Sequence, residues 1–367
     1  MSEYIPQQGT RSESGQESEQ SAGPDSPGDE VRRTLRAFLD SMVPEYGPGL
    51  FALVTQDGRE VFSGAAGTAD LARPRAISEA DRFRVGSVTK PFVAALVLKL
   101  VEDNALSLDD SVKRWLPGIV PGADRITVEH LLRMRSGIPH YVPALFGDPP
   151  DPSVYARYHT PESLVTHAVG AAGWQEPDAR HAYSSTNYVL LGLIAERATG
   201  WRLPALLWER ILNPLGLRDT DLPEADPHLR GPHATGYARA ALGEPYADLT
   251  AASPSESWAA GGLVSTPHDV AHFLDTLMTG GLLDESSWRA MSDTHPTGDR
   301  RGYGMGLMRL ELPRGHHAYG HTGATAGFNC VALRTDTGRT VVLYRNALDL
   351  TNPLPLHTPF VMEALTS

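Results

Sequence analysis

The sequence predicts an α/β fold of the α+β kind, in which one antiparallel sheet is built from both ends of the chain, flanked by helices, and joined to a mostly helical lobe. Three observations predict it. Two apolar runs meet at Asp57-Gly58, a dipeptide that accepts the positive φ angles of a tight hairpin turn. Strand signals return near residue 296, with a second hairpin turn at Asp336, Thr337 and Gly338. Between them, from 106 to 295, helical segments alternate with Pro- and Gly-rich loops and offer few convincing strands.

Taken in order, residues 1–29 are rich in Ser, Gln, Glu, Gly and Pro and almost free of large apolar side chains, so a disordered tail is expected. EVRRTLRAFLDSM (30–42) spaces its apolar residues as an amphipathic helix does. GLFALVTQDGREVFSGAAG is the first hairpin. PFVAALVLKLV (91–101) is apolar on nearly every side, broken only by Lys99, which marks a helix buried within the protein. TVEHLLRM, NYVLLGLIAERATG, LPALLWERIL and DVAHFLDTLMTG supply the helical lobe. RGYGMGLMRLEL, HHAYGHTG and GFNCVALRTDTGRTVVLYRNA give about four further strands, and LPLHTPFVMEALT closes the chain as a helix. The expected division is a sheet unit from 30–105 and 296–367, a helical unit from 106–295, and an active site between them.

Composition excludes several function classes. The 367 residues carry a formal net charge of −12 and no Lys/Arg cluster that could track a phosphate backbone, which argues against nucleic-acid binding. No stretch reaches the roughly 18 consecutive apolar residues of a membrane span. The N-terminus lacks the basic and apolar regions of a secretory signal, so a cytoplasmic protein is expected. The single cysteine, Cys330, rules out an intrachain disulfide and any Cys-based zinc site. His316 and His317 have no acidic or cysteine partner at a ligand spacing and read as surface or core histidines. No metal or cofactor is expected, the partner being a small-molecule or peptide substrate.

Lysine is scarce: Lys90, Lys99 and Lys113 are the only three among 32 basic residues. In RVGSVTKPF (84–92), Ser87 and Lys90 stand at i and i+3 at the head of the buried helix, close enough to hydrogen-bond. A lysine in a partly desolvated site has an accessible neutral form that can take a serine proton, and helix N-terminal N–H groups can receive a developing oxyanion. The blander reading makes Ser87 a cap and Lys90 a solvated residue; a cap has no need of a lysine in front of a buried-type helix. HAYSSTNYVLLG places Tyr183 in a polar loop before a helix, and YGHTGATAGF places His321, Thr322 and Gly323 on a strand of small residues. Either of these alone reads as structural.

In order, S-x-x-K, Y-S-S and H-T-G resemble the three active-site motifs of the class C β-lactamase and serine D,D-carboxypeptidase family. The similarity extends through SVKRWLPGIVP, RITVEHLLRMRSGI, WAAGGLVSTPHDVAHFLDTLMTGG and GYGMGLM, over most of residues 30 to 365. The resemblance implies a β-lactamase/transpeptidase-like fold and a serine hydrolase mechanism, with Ser87 attacking an amide or ester carbonyl. It implies that Lys90 and Tyr183 share the proton work, either being the base. The backbone N–H groups of Ser87 and Ala324 would form the oxyanion hole, and Ser185, His321, Thr322 and Gly323 would line the substrate site. There is no G-x-S-x-G elbow, which removes the α/β-hydrolase alternative.

Two positions depart from the family pattern. Ser185 stands where the family has Asn, with Asn187 two residues on as the candidate substitute. Met308 stands where related carboxypeptidases carry an arginine for the substrate's terminal carboxylate, and the neighbouring Arg309 is expected on the opposite strand face. Trp258 is expected either as a stacking surface in the cleft or as packing beneath its loop. The departures widen the function to transacylases, cyclising thioesterases and esterases of natural-product metabolism. From another class, they leave open an acyl-binding sensor without turnover.

Overall fold

A computed structural model of the chain describes residues 27–148, 151–239, 244–298, 300–349 and 358–367. The expected tail falls outside the described residues up to residue 26. Its last three positions instead open the first helix, α1 (Pro27–Tyr46), whose first turn holds Asp29 and Glu30. Proline is tolerated at a helix start because its missing N–H has no intrahelical partner there, and acidic side chains favour that end of the dipole.

The first hairpin, β1 (Gly49–Gln56) and β2 (Arg59–Gly67), turns at Asp57 and Gly58, both with positive φ. It joins six strands from the other end of the chain: β3 (His295–Gly298), β4 (Arg301–Tyr303), β5 (Met308–Glu311), β6 (His317–Thr325), β7 (Phe328–Thr335) and β8 (Arg339–Arg345). The sheet order is β2-β1-β8-β7-β6-β5-β4-β3, with every neighbouring pair antiparallel. RGYGMGLMRLEL was expected as one strand signal. It is split at Gly306, whose φ of +76° and close approach to Tyr188 and Ala94 turn the chain between β4 and β5.

Alternation along each strand decides the two faces. Leu50, Ala52, Val54, Leu333, Val341 and Leu343 pack with Leu35 and Leu39 of α1 and with Phe360 and Val361 of the C-terminal helix Pro359–Thr366. Phe51, Leu53, Cys330, Ala332, Val342 and Tyr344 face the larger core. At its centre is α2 (Thr89–Glu102), with eleven of its fourteen residues buried. The helical lobe between the two groups of strands includes α3 (Thr186–Thr199) and the short α4 (Trp258–Gly261). It also carries three short strands, Tyr237–Arg239, Ala247–Asp248 and Val264–Ser265. Among the described residues no helix is long and apolar enough to cross a membrane. The chain's functional motifs meet where α2, α3, α4 and β6 converge.

Candidate active site

A single 3-10 turn, Gly86–Val88, precedes α2 and carries Ser87, so Lys90 lies in the first turn of the helix behind it. Lys90 Nζ is 2.8 Å from Ser87 Oγ, 2.7 Å from Ala260 O and 3.3 Å from Ser185 Oγ, and the residue is wholly buried. Burial pulls the Lys90 amine down to about 7, with the distant negative charge of Glu256 opposing the shift. A neutral amine has two N–H donors and one lone pair. With its N–H groups on Ala260 O and Ser185 Oγ, the lone pair is left for the Ser87 hydroxyl proton.

Tyr183, in the loop before α3, donates its hydroxyl to Ser87 Oγ at 2.9 Å. Burial pushes its phenol up to about 12, so Tyr183 keeps its proton near neutral pH. Ser87 Oγ therefore sits between a proton donor and a proton acceptor whose identities follow from their environments.

On the opposite wall, β6 approaches the Ser87 turn with no room for side chains between them. A Cβ on Gly323 would lie 1.9 Å from Val85 O, and one on Gly86, whose φ is +54°, would lie 2.6 Å from Ala324 N. The pair of glycines lets the backbone of Ala324 stand beside that of Ser87, the arrangement in which two N–H groups can share one oxyanion.

His321 lies on this strand and is buried. Its Nδ1 lies 2.6 Å from Thr322 O, which requires the proton on that nitrogen and leaves Nε2 to accept from Tyr303 OH at 3.3 Å. Burial and the nearby Lys90 lower its pKa to about 3, so it serves as a neutral hydrogen-bonding brace.

Ser185 reaches Lys90 despite its short side chain, because its backbone N–H is anchored on His140 Nδ1 at 3.1 Å. Asn187 does not substitute for it: its amide is taken by Ser136 Oγ at 2.6 Å and Met134 Sδ at 3.4 Å. Met308 Sδ lies 3.7 Å from Thr322 Oγ1, whereas Arg309 pairs with Glu311 on the other face of β5.

Trp258 requires a correction. It is 2 % exposed, and its ring fills the notch at Gly192 of α3, where a Cβ would meet it at 2.8 Å. It packs beneath its loop and does not line the cleft.

Two site residues carry weak sequence signals. His140 follows Ile138-Pro139 with nothing to mark it, and its pKa is lowered to about 4 by burial and by Lys90. Glu256, in SPSESWAAGG, is a lone acid in a small-residue loop, yet it lines the same cavity of about 180 Å³ as Ser87, Tyr183, Ser185 and Ala324. An acid just before a segment that holds the lysine through Ala260 is the one hint available.

The model of the Beta-lactamase family matches residues 31–366. Penicillin-binding protein 4* of Bacillus subtilis is 24% identical over 329 residues, 85% of this chain and 71% of that protein. Esterase EstB of Burkholderia gladioli is 35% identical over 202 residues, 49% of this chain and 48% of the esterase, so the match spans about half of either protein. Among solved structures, a D-stereospecific amidohydrolase from Streptomyces sp. superposes with a TM-score of 0.81 at 31% identity, covering 91% of this chain and 98% of that one.

Proposed function

Since the chain belongs to the beta-lactamase family of serine hydrolases, we propose that it hydrolyses amide or ester substrates through an acyl group carried on Ser87. The observation that carries this reading is the placement of Ser87 Oγ within hydrogen-bond distance of both Lys90 Nζ and Tyr183 OH, with Lys90 pulled to near-neutral pKa. Lys90 takes the hydroxyl proton as Oγ bonds to the carbonyl carbon, and the carbonyl oxygen is held by the N–H groups of Ser87 and Ala324. Tyr183 then protonates the leaving nitrogen or oxygen and is refilled from Lys90. Water attacks the acyl-serine, giving up a proton to the same pair as the Ser87 oxygen leaves.

Amidohydrolase and esterase relatives both support this breadth of substrate. The sensor alternative drew on Ser185, but a hydroxyl that still contacts Lys90 leaves the proton relay intact and favours turnover. An alkyl- or biotin-fluorophosphonate probe is expected to add once to the protein. Peptide mapping of the adduct should place it on residue 87, and labelling elsewhere, or none, would sink the proposal.

Met308 next to Thr322 removes the guanidinium fork that a free terminal carboxylate needs. A peptide ending in D-Ala-D-Ala is therefore expected to show kcat/KM at least about tenfold below its C-terminal amide. Equal or reversed values in a steady-state comparison would show this wrong.

A further inference from the structure

Lys90 Nζ meets three oxygens, and only one belongs to the nucleophile. The other two, Ser185 Oγ and Ala260 O, lie in segments that are both gripped by one short stretch, Pro139-His140-Tyr141. That stretch opens the helix Tyr141–Phe146 with His140 as its N-cap, and Ser185 is in turn the N-cap of α3. An N-cap side chain ordinarily accepts from N–H groups in the first turn of its own helix. Here both side chains turn away from their own helices. The Ser185 hydroxyl faces Lys90, and His140 Nδ1 accepts from the Ser185 N–H at 3.1 Å. Thr186 Oγ1 returns the contact, accepting from the Tyr141 N–H at 3.1 Å and donating to Pro139 O at 2.7 Å. Ser184 Oγ donates to the same carbonyl at 3.0 Å, so the two helix starts cap each other.

Tyr141 extends the grip to the second partner. Its hydroxyl, on a wholly buried side chain, donates to Glu256 O at 2.7 Å, and in the next residue Ser257 O accepts from the Ala260 N–H at 2.7 Å. The turn that presents Ala260 O to Lys90 is therefore tied down at its entry. The His140 ring also meets the Tyr183 ring edge-on, with centroids 6.1 Å apart and planes at 88°. Burial keeps that imidazole neutral near neutral pH, so Nδ1 has the lone pair it needs and the proton sits on Nε2. Lysine has a flexible stem, so the direction of its lone pair is set by the partners of the amine and not by the helix that carries it.

From these contacts we infer that His140 and Tyr141 are positioning residues for the transfer of the Ser87 proton, holding in place the two oxygens, Ser185 Oγ and Ala260 O, that aim the Lys90 lone pair at Ser87. The inference rests on the acyl-Ser87 reading above and assigns the residues that set its geometry. Loss of either grip leaves the amine in the site but lets it turn, and a misaimed base lowers the rate without weakening substrate binding. The whole effect passes through Lys90.

The test measures hydrolysis of p-nitrophenyl butyrate, with circular dichroism and thermal melts on every variant. In His140→Leu, kcat is expected to fall about 100-fold, with KM within about threefold of wild type. Asparagine carries an acceptor oxygen on Cγ where histidine carries Nδ1, so His140→Asn should regain at least about tenfold over His140→Leu. Tyr141→Phe removes one oxygen and should lower kcat about tenfold. In the Lys90→Met background, both His140→Leu and Tyr141→Phe should change the residual rate by less than about threefold, because no amine is left to aim. Losses of full size in that background, a wild-type kcat in either single variant, a His140→Leu defect confined to KM, or no recovery in His140→Asn overturns the inference. Turnover and fluorophosphonate labelling of Ser87 in the wild type then leave the acyl-serine reading standing. A wild type with neither turnover nor labelling at Ser87 overturns both. Should His140→Leu fail to fold, Tyr141→Phe alone and combined with Lys90→Met decides the matter.

Discussion

Hydrolysis of a neutral ester is expected to fall by at least about 1,000-fold in Ser87→Ala, in Lys90→Met and in the double variant alike. Groups that act on one proton and one bond lose their value together, so the second substitution has little left to remove. Methionine matches the length of the lysine stem while deleting the amine that contacts Ser87 Oγ, Ala260 O and Ser185 Oγ. The same geometry fixes the pH dependence. Below about 7 the Lys90 amine is protonated and has no lone pair for the Ser87 hydroxyl; above it the amine is neutral. Wild-type kcat/KM should therefore rise with pH through about 7, and the residual rate of Lys90→Met should lack that rise. Tyr183, held near 12, stays protonated throughout this range and supplies no competing limb. Steady-state rates from mildly acidic to mildly alkaline pH, with circular dichroism to confirm folding, check both statements. Losses that multiply in the double variant would mean that Ser87 and Lys90 serve separate steps.

Much of this site can be read along the chain because its main contacts are local or follow from chain order. Ser87 and Lys90 meet because i and i+3 share a helix face, and the apolar residues from Pro91 onward bury the lysine whose pKa then falls. The sheet faces follow from alternation in β1, β7 and β8. What could not be read depends on approaches between distant segments. Ser185 looks too short for the lysine until His140, 45 residues earlier, is seen to hold its backbone in place. Trp258 is equally suited to stacking or packing in sequence terms, and the notch at Gly192 decides it. Glu256 carries no motif, and only its place in the cavity that Ser87 also lines marks it out.

Gly323→Ala is expected to lower kcat by about 100-fold or more, a loss of the size seen when an oxyanion donor is displaced. The added Cβ would stand 1.9 Å from Val85 O, 2.9 Å from Val85 C and 3.1 Å from Ser87 N. All three are backbone atoms, so no rotamer change relieves the clash, and β6 must retreat by about 1 Å from the turn that carries Ser87. That retreat draws the Ala324 N–H away from the carbonyl oxygen while leaving Lys90 and Tyr183 on Ser87, which β6 does not hold. The variant should accordingly keep a nucleophile that a fluorophosphonate labels slowly, and lose the step that needs a stabilised oxyanion. Overpacking of this kind also destabilises, by about 1–3 kcal/mol. Gly170→Ala is the control, since a Cβ there meets only ordinary contacts at 3.8 and 3.9 Å. Thermal melts and kcat measured on both variants separate the effects, and a Gly323→Ala enzyme with kcat close to wild type would mean that Ala324 N–H does not face the reacting carbonyl. Gly86, meeting Ala324 from the other side at positive φ, gives the same clash a second handle. Gly86→Ala adds backbone strain to a 2.6 Å contact, so it should impair the same step. Matching defects from opposite sides of one gap would trace the activity to the spacing between these two backbones, which neither segment sets alone.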